Sequence, residues 1–213
     1  MKYEHIIWDF NGTLLDDVWT GIVSVNKLLE DRGLPKIASV EDYRRVFRFP
    51  IIEYYRSLGF DFDKEPYEVI APQWVALYLE NVKSAGLYDD ARQTLEQVRA
   101  AGLRQTLLSA TELNMLKGQV RELGVEGYFD RIAGLDNIHA GSKLALARAW
   151  RQAYPQDRAI MIGDTDHDVD TARELGADCV LVCRGHQPKE YLQTLGVPVA
   201  DSIREAFERY IFN

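Results

Sequence analysis

An α/β fold, a doubly wound parallel sheet with an inserted all-helical segment, is predicted by three features of the sequence. Short runs rich in Ile, Val and Leu recur at strand length, near-continuously apolar as strands buried on both faces are. Amphipathic stretches with helical spacing separate these runs, and that alternation builds a parallel sheet flanked by helices. One long interval, residues 16–86, breaks the alternation with helical patterning alone.

The first strand is placed at residues 5–10. Residues 21–32 then carry Ile22, Val25, Leu28 and Leu29 at helical spacing and stop at Gly33. Residues 51–58 are amphipathic and stop at Gly59, and residues 65–84 carry Val69, Ile70, Trp74, Leu77, Tyr78 and Val82 and stop near Gly86. An all-helical block between the first strand and the rest of the sheet reads as an inserted cap, residues 16–86, on a core formed by residues 1–15 and 87–213. In that core, helices at 91–101, 112–123, 143–153 and 168–175 alternate with strands at 104–109, 131–133, 159–162 and 179–182. Gly102, Gly124 and Gly176 each follow a helix and precede a strand, as helix C-caps do. A last helix at 202–210 opens on Ser202, with Glu205 three residues on as in a capping box.

Composition narrows the function classes. The 213 residues suffice for one domain with a modest insertion. A net charge of −8 argues against a sequence-independent nucleic-acid binder, which draws its affinity from clustered Lys and Arg, and against an anionic membrane surface. No segment has the uninterrupted apolar length of a membrane span. The chain starts with Met1-Lys2-Tyr3-Glu4-His5 directly before a strand, with no secretory apolar region. Cys179 and Cys183 are the two cysteines; four apart on one strand, they share a face but stand too far apart for a disulfide. Reduced thiols and a cytoplasmic location are the expectation, with a small soluble molecule as the partner and a monomer or homodimer as the assembly.

The chemistry concentrates where strands end. Asp9-Phe10-Asn11-Gly12-Thr13-Leu14 follows the first strand, and Gly163-Asp164-Thr165-Asp166-His167-Asp168 follows a later one. Ligands of open α/β sheets bind outside the carboxyl ends of the strands, and Asp9, Ser109 and Asp164 all fall at such ends. Clustered carboxylates raise one another's pKa unless a cation sits between them. Carboxylate and carbonyl oxygens in a phosphate context suit magnesium.

These two acidic segments, with Thr106-Leu107-Leu108-Ser109-Ala110 and Lys143 between them, resemble the motifs of the haloacid dehalogenase-like (HAD) hydrolases in the family's order. The resemblance covers essentially the whole chain and implies a Rossmann-like core with a helical cap. It implies that Asp9 attacks phosphorus and becomes an aspartyl-phosphate. Asn11 would give its backbone carbonyl to magnesium, with Asp9, Asp164 and Asp168 as further ligands, Asp168 directly or through water. Gly12, Thr13, Ser109, Ala110 and Lys143 would hold the phosphoryl group. The implied activity is magnesium-dependent hydrolysis of a small phosphate monoester, in a subgroup that includes phosphoglycolate phosphatase. Phosphotransfer to another acceptor, or binding of a phosphorylated metabolite without turnover, are the alternatives.

One position departs from the pattern. The family's phosphatases carry Asp two residues after the nucleophile, where it protonates the leaving alcohol and then activates water; here the residue is Asn11. An amide has no proton to exchange near neutral pH. From sequence alone, Asn11→Asp is expected to speed alkyl phosphate hydrolysis, and His167 and Asp16 are the substitutes to consider for the proton. In the cap, Arg48 within Arg44-Arg45-Val46-Phe47-Arg48-Phe49-Pro50 is the candidate for reading a second anionic group on the substrate, through its planar fork.

Overall fold

The computed structural model describes residues 2–136 and 143–212. Six parallel strands form one sheet: β1 (His5–Trp8), β2 (Arg104–Glu112), β3 (Arg131–Leu135), β4 (Ala159–Gly163), β5 (Asp178–Val182) and β6 (Val199–Ala200). Their spatial order is β3-β2-β1-β4-β5-β6. The order reverses direction at β1, so the crevice at the carboxyl ends of β1 and β4 is the switch point where such sheets bind ligands.

Side-chain alternation assigns the two faces. On one, Ile6, Trp8, Leu107, Ile160, Ile162, Val180 and Val182 pack with residues of α5 (Ala91–Ala100), α6 (Leu113–Glu122) and α10 (Ile203–Phe207). On the other, Ile7, Leu108, Met161, Cys179 and Leu181 pack with Ala147 and Trp150 of α7 (Lys143–Ala153) and with Val169, Ala172 and Leu175 of α8 (Asp166–Leu175). Both faces are covered, which is why these strands read as continuous apolar runs. Gly102, Gly124 and Gly176 have φ of 73°, 66° and 60°, the left-handed conformation of a helix end.

Between β1 and α5 the chain forms α1 (Val18–Asp31), α2 (Val40–Val46), α3 (Ile51–Ser57) and α4 (Tyr67–Asn81). These four helices enclose an apolar cluster of their own, built on Ile22, Val25, Leu29, Tyr43, Tyr55 and Ile70. The chain leaves and re-enters the sheet layer through adjacent segments: Leu15 pairs with Leu87, the Asp16 amide donates to the Gly86 carbonyl and the Tyr88 amide to the Leu14 carbonyl.

Four elements differ from the sequence expectation. Helix α2, for which the sequence reading placed no element, covers part of the Arg-rich stretch; Ser39 caps it by accepting from the Asp42 amide, with Glu41 and Asp42 in its first turn. Strand β2 runs past Ser109 to Glu112, with an irregular register after Leu108. Strand β6 is two residues at the sheet edge, too short to leave a periodic signal. A short α9 (Lys189–Leu192) precedes it. Among the described residues no helix is long and apolar enough to cross a membrane.

Candidate active site

Asp9, Asp164 and Asp168 converge at the ends of β1 and β4, with a carboxylate oxygen of each within 4.8 Å of the others. All three are buried. Lys143, at the start of α7, donates through Nζ to Asp9 Oδ1 and, at 2.8 Å, to Asp168 Oδ1. Burial would discharge this ammonium, but the carboxylates of Asp168 and Asp9 outweigh it and hold Lys143 protonated well above its ordinary range. Gly141 and Ser142, which precede it in the motif, lie outside the described residues.

Each carboxylate is held by its own local structure. The Thr13 hydroxyl reaches Asp9 Oδ2 at 3.1 Å and Asp164 Oδ1 at 3.3 Å. Asp168 Oδ2 accepts from the amides of Asp164 and Thr165 and from the Thr165 hydroxyl, while its Oδ1 faces Lys143. Asp168 is therefore largely committed to capping α8 and to Lys143. Asp164 Oδ2 accepts the His186 amide at 2.7 Å. Glycines make room for its carboxylate: a Cβ at Gly12 (φ 71°) would lie 2.3 Å from Asp164 Oδ2, and one at Gly185 would lie 2.1 Å away.

Electrostatically the cluster is under-compensated. Burial pushes Asp9 up to about 6, with the nearby Asp168 adding to the rise and Lys143 opposing it. Burial likewise lifts Asp164 well above the carboxylate range, helped by the charges of Asp9 and Asp168 and opposed by His186. An all-oxygen set of crowded carboxylates beside one ammonium suits a hard divalent cation such as magnesium. Asp9 and Asp164 are the residues placed to hold it, with the Asn11 carbonyl on the same loop.

A second polar group is built around Asn11, two residues beyond Asp9. The Asn11 carboxamide donates through Nδ2 to Asp17 Oδ2 at 2.9 Å and to the Tyr78 hydroxyl at 2.7 Å. Its Oδ1 accepts from Thr111 Oγ1 at 3.0 Å and, more weakly, from Ser109 Oγ at 3.5 Å. Asp17 also accepts from the Gly12 amide and the Tyr78 hydroxyl, and its Oδ1 lies 3.4 Å from His186 Nε2. Burial would raise the Asp17 pKa, but His186 and these donors outweigh it and hold the carboxyl below its usual range. For His186 the balance is the converse. Burial alone would lower it, yet Asp17, with Asp164 and Asp9 beyond, raises it to about 9, so the imidazole is cationic.

The remaining expected residues are placed as follows. Ser109 is buried next to Asn11, and Ala110 beside it is exposed. Thr13 is fully buried between two carboxylates, so it orients them from beneath. Arg48 is exposed and donates to the Val46 carbonyl of its own segment. Its neighbour Arg44 instead clasps the loop after β5, donating to the carbonyls of Gly185 and Arg184. His167 is stacked under Phe49, ring centroids 3.6 Å apart, and Asp16 is exposed. Neither is joined to the Asn11 group; the groups found there are Asp17, Tyr78, Thr111 and His186. A polar residue two positions beyond the strand-end Ser was a signal for Thr111, whereas His186 in a loop and Tyr78 on an apolar helix face had none.

The haloacid dehalogenase-like hydrolase family model matches residues 6–182, most of the chain. Among curated proteins, the tyrosine-protein kinase PtkA of Mycobacterium tuberculosis is 28% identical over 210 residues, 94% of this chain and 71% of that protein. A phosphoglycolate phosphatase of Colwellia psychrerythraea is 24% identical over 204 residues, 91% of this chain and 90% of that one. Among solved structures, M. tuberculosis PtkA superposes with a TM-score of 0.79 at 26% identity, covering 97% of each chain. A haloacid dehalogenase-like family hydrolase of Streptococcus pneumoniae superposes at 0.76 with 19% identity, covering 97% of this chain and 98% of that one, a likeness of fold.

Proposed function

We propose, from the premise that the chain belongs to the haloacid dehalogenase-like hydrolase family, that it is a magnesium-dependent phosphatase acting on a small phosphate monoester through an aspartyl-phosphate on Asp9. The observation that carries this reading is the joint placement of Asp9, Lys143 and Asp164 at the switch point of the sheet. Phosphoryl transfer asks a protein mainly for positioning and charge neutralisation, and this site supplies both. Asp9, oriented by Thr13 and Lys143, attacks phosphorus in line with the leaving group, forming the Oδ–P bond as the ester P–O bond breaks, and the departing alkoxide takes its proton from solvent water. Lys143 neutralises an equatorial phosphoryl oxygen and the Ser109 hydroxyl donates to another. Asp9, Asp164 and the Asn11 carbonyl would hold magnesium, which would supply further positive charge to the phosphoryl group. Water then attacks the phosphorus of phospho-Asp9, which regenerates the carboxylate and releases phosphate. The helical insert α1–α4 acts as the cap that closes over this step and excludes bulk water.

A second reading, phosphotransfer to another hydroxyl, is favoured by Asn11. Without a carboxyl at that position, water attack on phospho-Asp9 is slow and the intermediate lives longer. Phosphoglycolate-type esters are the first substrate class to test, from the names of the similar phosphatases. Turnover of an aryl phosphate and a panel of phosphorylated metabolites should require magnesium and vanish in Asp9→Ala. Turnover that survives chelation, or persists in Asp9→Ala, would remove this function.

A further inference from the structure

Asn11 stands where a carboxylic acid does the family's proton transfers, and its surroundings are built for an amide. Asp17 is a carboxylate, 1% exposed, and accepts hydrogen bonds only. It therefore fixes the carboxamide with Nδ2 toward Asp17 and Oδ1 toward the hydroxyls of Thr111 and Ser109. The Tyr78 hydroxyl gives its single proton to Asp17 and accepts from Asn11 Nδ2, so the three groups close a ring of matched polarity. Both amide protons of Asn11 are used, and its carbonyl oxygen accepts from Thr111 Oγ1. A carboxylate here would set like charges at hydrogen-bonding distance from Asp17 and would have no N–H to offer Asp17 or Tyr78. Tyr78 itself is stacked on Trp74 of the same helix, 4.9 Å between centroids, and both belong to the insert.

We propose that Asp17 and Tyr78 are positioning residues that make position 11 an amide site and fasten α4 of the insert to the nucleophile loop through it. The hydrogen-bond polarity stands independently of any reaction; only the kinetic consequence rests on the phosphatase reading. That consequence reverses the expectation from sequence: Asn11→Asp alone impairs the enzyme, and the acid becomes tolerable only when Asp17 gives up its charge. The reciprocal exchange Asn11→Asp with Asp17→Asn restores one amide and one carboxylate in the ring, with donor and acceptor roles swapped.

The same clamp governs a chemical weakness of the chain. Asn11-Gly12 is a deamidation-prone pair. The Gly12 nitrogen, losing its proton, bonds to the carboxamide carbon and ammonia leaves, after which water opens the succinimide to aspartate or isoaspartate. The Asn11 side chain must swing toward the Gly12 nitrogen to react, and its hydrogen bonds to Asp17, Tyr78 and Thr111 hold it away.

The test compares aryl phosphate turnover with magnesium in wild type, Asn11→Asp, and Asn11→Asp/Asp17→Asn, each checked for folding by circular dichroism. The proposal expects Asn11→Asp at least about tenfold below wild type and the double variant at least about tenfold above Asn11→Asp, since a small displacement of the loop that carries Asp9 spoils its attack geometry. Asn11→Asp equal to or faster than wild type, or a folded double variant no faster than Asn11→Asp, overturns it. Peptide mapping of aged, folded Tyr78→Phe and wild type gives a readout that needs no activity and no Asn11→Asp protein. Faster aspartate and isoaspartate formation at position 11 in Tyr78→Phe supports the clamp, and equal rates overturn it. Absence of turnover in every protein, wild type included, would count against the phosphatase reading and leave the mapping result to decide the clamp.

Discussion

A buried carboxylate cluster and a half-buried amide cluster meet at the end of β1 and are satisfied in different ways. The carboxylate cluster of Asp9, Asp164 and Asp168 is drawn from strand ends and helix starts of the core, and its shared cation is Lys143. The amide cluster of Asn11, Asp17, Tyr78 and Thr111 joins the loop after β1 to α4 and to the end of β2, and its polar atoms find matched partners. In the first, burial and like charge leave two carboxyls with raised pKa, an imbalance that a divalent cation relieves. In the second, the one carboxylate is held below its ordinary range by His186 and by donors, and no further ligand is called for. The difference separates a cluster left with excess negative charge from one whose polar groups are matched.

Lys143→Met attacks the comparison where the effect is largest. It removes the shared cation from a buried pair, which costs about 3–5 kcal/mol, and takes an electrostatic stabiliser from the reaction, worth about 10²–10³ in rate. Urea unfolding without magnesium and aryl phosphate kinetics should both show the loss. Magnesium should return part of the stability and little of the activity; unchanged stability would mean the carboxylates do not depend on this cation.

Asp164→Asn acts on the same cluster with the opposite sign on charge. It relieves crowding, so metal-free stability should hold or rise. Wild type at magnesium 100-fold above Kd should gain about 2.7 kcal/mol by mass action, and this variant should gain little. A melting temperature that rises equally in both proteins would take Asp164 out of the metal site.

Tyr78→Phe probes the amide cluster and should cost about 1–2 kcal/mol for the lost hydrogen bonds. Hydrogen exchange should quicken in α4 and α1 while the sheet keeps its protection, since the lesion lies between insert and core. Loss of protection in β1 and β4 instead would show that the two clusters are one unit. The smallest contrast lies within one segment: Arg48→Ala should stay within about 0.5 kcal/mol of wild type, as exposed substitutions do. Arg44→Ala, which releases two core carbonyls, should cost measurably more in the same urea titration.

The two clusters also differ in how far they could be read from sequence. Asp9 and Asp164 each end an apolar run, so the parallel-sheet rule alone brings them together, and Lys143 opens a helix over the same edge. Asp17 and Tyr78 meet Asn11 across separations that no local pattern records, 61 residues between Tyr78 and Asp17. Tyr78 carries the spacing of a packed helix face, and its hydroxyl is the one atom that leaves that face for the site. Helix α2 was legible in principle through Ser39, Glu41 and Asp42, a capping signal outweighed by the three arginines that follow within the same stretch. The two residues of β6 could not be distinguished from a loop, because pairing at a sheet edge rather than periodicity defines them.

The proposed reaction places the phosphoryl group on Asp9 during turnover. Acid quenching of the protein during turnover of an aryl phosphate with magnesium, followed by peptide mass mapping, measures this directly. The Asn11 surroundings predict slow dephosphorylation, so the peptide containing Asp9 should carry one phosphoryl group in a large fraction of molecules, and Asp9→Asn should carry none. Turnover with no phosphoryl group on Asp9 at any quench time, or the same modification in Asp9→Asn, would contradict the account.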